Sequence, residues 1–554
     1  MKVTLAQLNY TIGDFSGNLQ KIKNAIKENN TSDIIIFSEL AISGYYPFDL
    51  LDRRDFLDAH QAALEQIIKF TENLNCYVLI GAIAKNTRGK GKEIYNAALL
   101  IHKGKLVSQY YKHLLPVYNI HDEARHFESG QLSPVMQIKG KNFAVFVCED
   151  IWHKAQGYAS IDPVLQCTQP DIEGVFVLNA SPSNIGKSSA RKEVVTYLAK
   201  KLQAPVVYVN QVGGNDEIVF DGASFVTDSQ GNIIHQAKIF EEDILTLDFP
   251  FQTGNQIIEC IRTYESFLFE QLKLGLRDYI QKCGFKGIVV GCSGGIDSAL
   301  VIAIATYALG AENVFAITMP SVYSSEGSVL DSEALCKNLG VKLYTRPIGE
   351  EFQLSCKQYE ESFGKPPSKL TKENIQARIR GRVVMEFSND NGVLAVSTGN
   401  KSEMSVGYAT LYGDMNGAIN LLGDLYKQDV YAVSKYINEI YGEKIPPAII
   451  TKEPSAELSE DQKDSDSLPP YDLLDATLKL YIEGDMLDKE EVDKLKTLES
   501  KLPQSEVKRI HRLVDFAEFK RKQAPPIIRV QRRSFGLGRQ LPVAQRYTHN
   551  KLDL

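Results

Sequence analysis

The run from Gly287 to Ala308 admits few folds. Gly287-Ile-Val-Val290 has the length and apolarity of a buried strand, Gly291-Cys-Ser-Gly-Gly-Ile-Asp-Ser298 is a small-residue loop, and Ala299-Leu-Val-Ile-Ala-Ile-Ala-Thr-Tyr-Ala308 is apolar all round, as a buried helix is. Strand, tight loop and helix N-terminus in that order make an anion cradle, because free backbone N–H groups and the positive helix end point at one spot. Gly294 and Gly295 let the backbone approach a phosphate, Ser293 and Ser298 add hydroxyl donors, and Asp297 offers oxygen to a magnesium ion. The loop lacks the lysine of GxxxxGK[ST], so it is not the phosphate loop of kinases and GTPases. The plain alternative is a Ser/Gly turn that binds nothing.

Further apolar runs follow at strand length: Asn313 to Met319, Val341 to Tyr344 and Val393 to Ser397. Helical segments separate them, which implies a parallel sheet with its ligands at the carboxyl edge of the strands. The hydroxyl-rich loop Pro320 to Ser325 and the loop Ser397-Thr-Gly-Asn-Lys-Ser-Glu403 leave from that edge. Glu403 could share a magnesium with Asp297, or be a solvated loop residue. Gln376-Ala-Arg-Ile-Arg380 puts guanidinium groups on one helix face, for phosphate or for ordinary surface pairing, and Lys427 is equally open.

The first half alternates strands and helices as well. Asp33 to Phe37, Cys76 to Ile80, Asn96 to Ile101, Phe143 to Val147 and Val175 to Leu178 are strand-length apolar runs, with amphipathic helices over Asn18–Glu28 and Ala59–Leu74. Lys103-Gly104-Lys105 and Ser229 to Asn232 look like hairpin turns. An α/β sandwich with a mixed sheet is the expected class. Glu39, Lys112 and Cys148 each end a strand-like run, so a carboxylate, an ammonium and a thiol can converge at one sheet edge. Such a trio has a clear chemistry. The glutamate takes the thiol proton, the ammonium lowers the thiol pKa and steadies an oxyanion, and the sulfur attacks an amide carbon. Singly, each is more often structural.

At 554 residues the chain holds two or more domains. The expected division is 1–249, a linker over 250–262, and 263–554. With 62 basic and 69 acidic residues and a net charge of −7, no global positive field exists to hold nucleic acid or an anionic membrane. Lys2 to Leu8 alternates like a first strand with no long apolar core behind it, and the eight cysteines show neither a CxxC pair nor metal-ligand spacing. The expectation is a cytoplasmic protein with no membrane span; Gly287 to Ala311, the one long apolar stretch, is broken by its glycines and Asp297.

Phe37-Ser-Glu-Leu-Ala-Ile-Ser-Gly-Tyr-Tyr-Pro47, Tyr111-Lys-His-Leu-Leu-Pro116 with Glu123-Ala-Arg-His-Phe127, and Val147-Cys-Glu-Asp-Ile-Trp152 resemble the Glu–Lys–Cys signature of the nitrilase, or carbon–nitrogen hydrolase, superfamily. That resemblance implies an αββα sandwich in which Cys148 forms a thioester with an amide substrate and releases ammonia, Glu39 is the base and Lys112 the oxyanion partner. It places Glu123 near the lysine, and implies glutamine contacts at Tyr118, Glu149, Ser181 and Lys187. The SGGIDS loop at 293–298 resembles that of the N-type ATP pyrophosphatases. Together with Met319 to Ser325, Glu373 to Arg380, 397–403, Tyr408 to Asp414, Gly423 to Lys427 and Pro454-Ser-Ala-Glu-Leu458, it is similar to the NAD synthetase family from about Tyr264 to Pro542. The implied fold is a Rossmann-like parallel sheet of the adenine nucleotide α-hydrolase type. The implied contacts are ATP at Ser293, Gly294, Gly295, Asp297, Ser298 and Thr398, Mg2+ at Asp297 and Glu403, and deamido-NAD near Asn374, Arg378, Asp414 and Lys427.

The combination implies a glutamine-dependent NAD synthetase that takes L-glutamine, ATP and deamido-NAD, carries ammonia through an internal tunnel, and assembles as a homo-oligomer. Another ATP-pyrophosphatase amidotransferase with a different acceptor is the nearest rival, and a nucleotide sensor with dead sites is a third reading; Tyr408 to Asp414 and the intact Glu39, Lys112, Cys148, Asp297 and Glu403 argue against them. The family pattern leads to a proline near Asn416 to Leu422, where this chain has two leucines. Glu457 to Ser467 reads as a lid or a surface loop. The basic tail from Lys520 to Arg539 reads as a solvated end or a phosphate site.

Overall fold

The computed structural model describes residues 1–554 except 132, 159–161, 168–170, 253–262, 456, 461–463, 546 and 548–554. Most of the expected linker, 250–262, therefore lies outside the described residues, as does part of the 457–467 segment. The chain forms two compact units, Met1–Arg262 and Thr263–Leu554.

In chain order the strands of the first unit are β1 (Lys2–Gln7), β2 (Ile34–Phe37), β3 (Tyr77–Lys85), β4 (Ile94–His102), β5 (Lys105–Tyr111), β6 (Val135–Ile138), β7 (Lys141–Val147), β8 (Ile172–Asn179), β9 (Val206–Asn210), β10 (Val212–Asn215), β11 (Ile218–Asp221), β12 (Phe225–Thr227), β13 (Ile233–Gln236) and β14 (Asp243–Asp248). They pair as two six-stranded sheets, β14-β1-β2-β3-β4-β5 and β13-β12-β9-β8-β7-β6, with β10 and β11 a separate ribbon. Both sheets are mixed: β1, β2 and β3 run parallel, β3, β4 and β5 antiparallel, and β7, β8 and β9 parallel.

Strand alternation decides what each face covers. Ile34 and Ile36 join the core that contains Val145, Phe176 and Val207 of the second sheet. Ile35 and Phe37, pointing the other way, pack with Ile22 and Ile26 of helix Phe15–Glu28 and with Leu64 and Ile67 of helix Arg54–Phe70. Val194, Val195 and Leu198 of helix Lys187–Leu202 complete the core of the second sheet. The helix expected over Ala59–Leu74 thus starts earlier and stops at Thr71, whose hydroxyl donates to the Ile68 carbonyl at 2.8 Å.

The second unit holds β15 (Ile288–Gly291), β16 (Val314–Thr318), β17 (Lys342–Thr345), β18 (Leu394–Ser397) and β19 (Ile419–Asn420). All are parallel, in the order β17-β16-β15-β18-β19. The chain leaves β15 to one side through β16 and β17, then crosses back to β18, and this reversal opens a crevice at the carboxyl edge beside β15. β19 lies inside Asn416 to Leu422, and its two residues are too few to show a strand's alternation. The helix after β15 runs Ile296–Leu309, so Asp297 and Ser298 stand on its first turn instead of in the loop.

Several cations of the basic tail are held by the protein itself. Lys520 Nζ donates to the Gly407 and Ala409 carbonyls at 2.8 and 2.7 Å, the buried Arg521 to the Ser405 carbonyl at 2.8 Å, and Arg532 to Glu491 at 2.5 Å. Lys520 and Arg521 thereby brace the segment that follows β18. Among the described residues no helix is long and apolar enough to cross a membrane.

Candidate functional site

In the first unit Glu39, Lys112 and Glu123 meet inside the sandwich, with Lys112 1% exposed and both carboxylates 0%. Lys112 Nζ donates to Glu39 Oε1 and to Glu123 Oε1, each at 2.7 Å. The remaining carboxylate positions are also held: Asn96 Nδ2 donates to Glu39 Oε1 at 2.7 Å, the Ala180 N–H to Glu39 Oε2 at 2.9 Å, and Tyr45 OH to Glu123 Oε1 at 2.7 Å. Burial pulls the lysine down, but Glu123 and Glu39 outweigh it and hold the ammonium well above its ordinary pKa. Two of its three protons are committed, leaving one for an incoming oxygen.

Cys148 opens a single 3-10 turn, Cys148–Ile151, straight after β7, with φ +42°. A side chain in the left-handed region is strained, and the strain is held by what surrounds it. Asp150 does much of the holding. Its Oδ1 accepts from the His113 and Leu114 N–H groups, both at 2.9 Å, and its Oδ2 accepts from the Val147 N–H at 3.1 Å and Tyr110 OH at 2.9 Å. One carboxylate so fixes the turn that carries Cys148 against the strand end that carries Lys112. The structure corrects one expectation here. Lys112 does draw the thiol downward, but burial and the Glu39 charge outweigh it and push the Cys148 pKa well up, so the resting sulfur is a thiol and its proton must leave during attack.

Around this centre, Glu149 Oε1 accepts from Tyr118 OH and from Tyr158 OH, both at 2.9 Å, and burial raises its pKa. Lys187 Nζ lies 3.7 Å from the centroid of the Trp152 ring. Ser181 is 2% exposed; its Oγ accepts from Arg191 Nε at 3.1 Å, and Arg191 is paired with Asp221 at 2.7 Å. Tyr158, Asn96, Asp150 and Arg191 went unnoticed in the sequence, where nothing in their spacing marks them.

In the second unit a cleft of about 290 Å3 opens at the carboxyl edge of the sheet, lined by Ser293, Gly295, Asp297, Ser298, Thr398, Glu403, Asp414 and Lys427 among others. Gly294 has φ +74°, and a Cβ there would stand 2.3 Å from the Ser328 carbonyl oxygen. Only glycine fits. Ser293 and Ser298 hydroxyls lie 3.1 Å apart, and Ser293 Oγ accepts the Gly295 N–H at 3.2 Å.

Lys427 Nζ sits between the expected metal ligands, 2.6 Å from Asp297 Oδ2 and 3.1 Å from Glu403 Oε1. Asn400 Nδ2 donates to Asp297 Oδ1 at 2.8 Å. Burial pushes Glu403 up to about 7, against Lys427 and with Asp297. Two carboxylates within reach of one ammonium are a fitting oxygen pair for Mg2+. Behind them Lys401, fully buried, pairs with Asp424 at 2.8 Å and Glu483 at 3.1 Å, fixing the loop after β18.

The expected deamido-NAD residues divide. Asp414 lines the cleft and accepts the Thr410 N–H at 2.6 Å. Asn374 and Arg378 stay outside the lining and hold the same turn, Asn374 Oδ1 accepting from Thr410 Oγ1 at 2.9 Å and Arg378 Nε donating to the Leu411 carbonyl at 3.2 Å. Two further cations face the cleft: Arg380, which burial lowers to about 10, and Lys452, bonded to Ser328 Oγ and 3.1 Å from Glu457 Oε1. Glu457 also accepts from Ser325 and Ser328 hydroxyls at 3.0 and 2.7 Å, tying the start of the 457–467 segment to the loop after β16.

Residues 2–259 match the carbon-nitrogen hydrolase family and residues 268–524 the NAD synthase family. The glutamine-dependent NAD(+) synthetase of Synechocystis sp. is 38% identical over 558 residues, covering 98% of this chain and 99% of that protein. That of Thermotoga maritima is 38% identical over 588 residues, covering 99% of each. Among solved structures, glutamine-dependent NAD+ synthetase from Acinetobacter baumannii in complex with ADP superposes with a TM-score of 0.76 at 37% identity, over 98% of each chain. A glutamine-dependent NAD(+) synthetase from Cytophaga hutchinsonii, 20% identical with a TM-score of 0.80 over 98% of this chain and 97% of that one, shares the fold. With identity sustained across both units, the chain belongs to the glutamine-dependent NAD(+) synthetases.

Proposed function

We propose that Cys148, Glu39 and Lys112 hydrolyse glutamine, and that the cleft beside β15 uses ATP to pass the freed ammonia to deamido-NAD. The observation that carries the first half is the buried Lys112 bridging Glu39 and Glu123 beside a strained cysteine. Glu39 accepts the Sγ proton as sulfur attacks the side-chain amide carbon, and the third Lys112 proton meets the oxyanion. The proton passes to nitrogen, the C–N bond breaks, and ammonia leaves a thioester on Cys148. Water, deprotonated by Glu39, then breaks the C–S bond and releases glutamate and the thiol. Glu149 with its two tyrosines suits the substrate ammonium, and Lys187 its carboxylate.

In the cleft the carboxylate of deamido-NAD attacks the α-phosphorus of ATP, pyrophosphate leaves, and an adenylate forms. Ammonia attacks the acyl carbon and AMP departs. Backbone N–H groups of 293–295, the Ser298 and Thr398 hydroxyls, Arg380 and Lys452 hold phosphate, and Asp414, set by Asn374 and Arg378, orients the acceptor. Asp297 and Glu403 would hold Mg2+, which when bound offsets triphosphate charge. NAD formation by wild type and Cys148→Ala, each given glutamine or ammonium, tests the scheme. The variant should fail with glutamine and work with ammonium; a variant that still uses glutamine removes Cys148 from the mechanism.

A further inference from the structure

A further cluster in the first unit lies where the 3-10 turn Phe48–Asp52 meets the 3-10 turn Glu123–Arg125 and the residue after it. Asp49, Asp52 and His126 bring one ligand atom each to within 4.8 Å of one another. The two carboxylates face water, with side chains 64% and 66% exposed, while the His126 side chain is 2% exposed.

Tyr46 OH has a single proton and two neighbours, the Asp122 carbonyl at 3.1 Å and His126 Nδ1 at 2.7 Å. With that proton on the carbonyl, the phenol oxygen accepts from Nδ1–H. Nε2 is left as a lone pair. It is buried, makes no hydrogen bond, and lies 3.4 and 3.7 Å from Asp49 Oδ1 and Asp52 Oδ1. A lone pair facing two carboxylates is repulsive unless a cation lies between them. A tetrahedral ion with bonds of about 2.05 Å spaces its ligands about 3.3 Å apart, close to these separations. An Nδ1–H held by a phenolic oxygen is the outer-shell bond that orients a metal-binding histidine.

We propose that Asp49, Asp52 and His126 form a site for a borderline divalent cation of the zinc class, with water in the remaining positions. Nitrogen with carboxylate oxygen suits that class over Mg2+ or Ca2+. Arg125 Nη2, 3.1 Å from Asp49 Oδ1, is the competing cation; both side chains are more than half exposed, so the pair yields readily. The site tethers the 48–52 turn to the turn after Glu123 and stands whether or not the mechanism above is right.

The test is calorimetric titration of chelator-treated, full-length protein with Zn2+, alongside Asp49→Asn/Asp52→Asn and Tyr46→Phe. Wild type should bind one equivalent that the double variant loses by about a hundredfold, while Tyr46→Phe, with all three ligands kept, binds about tenfold more weakly. Co2+ in the same site should show ligand-field bands without thiolate charge transfer. Equal Zn2+ binding by wild type and the double variant would place the ion on cysteines and overturn the proposal. So would nitrogen-edited NMR showing His126 Nε2 protonated at neutral pH in metal-free protein, since that nitrogen then has no lone pair to offer a metal.

Discussion

His60 sits on helix Arg54–Phe70, 2% exposed, and its Nε2 accepts the Ile83 N–H of β3 at 3.1 Å. Protonating Nε2 would set a donor against a donor in an apolar layer, and burial holds the folded pKa down at about 3. An unfolded histidine titrates near 6.5. Above that pH both states carry a neutral ring and His60 adds no pH dependence. Below it the unfolded chain binds a proton that the folded one refuses, so stability falls by about 1.4 kcal/mol per pH unit until the pH nears the folded value. Between pH 6.5 and 5 the loss is about 2 kcal/mol. Trp152 is the only tryptophan in the chain and lies in the first unit, so its emission during urea unfolding follows that unit alone. His60→Gln keeps an acceptor for Ile83 and cannot titrate. The free energy difference between wild type and variant, whatever its offset at pH 7, should shrink by about 2 kcal/mol at pH 5. A difference that stays flat over that range would refute the argument, because the folded ring would then be taking up its proton as freely as the unfolded one.

Gly294→Ala must either move the Ser328 carbonyl or leave the left-handed region; strain of about 1–2 kcal/mol should cut ammonium-dependent NAD formation about tenfold and leave glutamine hydrolysis alone, and wild-type synthesis would count against the cradle. Lys427→Met leaves Asp297 and Glu403 facing each other without their buried partner, at a cost of about 3–5 kcal/mol; calorimetry of the second unit measures it, and an unchanged melting temperature would mean the lysine pairs elsewhere. Arg191→Met strands Asp221 and removes the donor to the Ser181 and Pro182 carbonyls. Trp152-monitored unfolding should show a loss of about 3–5 kcal/mol with a raised KM for glutamine, and a loss below about 1 kcal/mol would reject the pair as a support.

The strands were the most legible part of the chain. Ile34 to Phe37 and Phe143 to Val147 are buried on both faces, so they read as unbroken apolar runs. The glycine loop after β15 was legible because a positive φ and a close carbonyl leave glycine as the sole choice at 294. Glu39, Lys112 and Cys148 stood out as strand ends, yet the electrostatics did not: spacing gives no burial, and burial reverses the direction in which Cys148 shifts. Helix starts slipped for a related reason. Arg54 to Asp58 and Ile296 to Ser298 are helical with Phe56, Ile296 and Ser298 buried, packing that no periodicity announces. The anchoring of the tail was not legible, because Lys520 and Arg521 donate to backbone carbonyls more than a hundred residues away, contacts invisible along the chain.

Asp150 has a consequence of its own. Tyr110 belongs to one sheet, and His113 and Leu114 follow its end; Val147 closes a strand of the other. A single carboxylate gripping all four is a rivet through the sandwich beside Cys148 and Lys112. The spacing of those two side chains is then set by the spacing of the layers. Any slackening of one sheet against the other, far short of unfolding, is felt first as misaligned chemistry, and core substitutions remote from Cys148 will register as lost turnover before they register as lost protein.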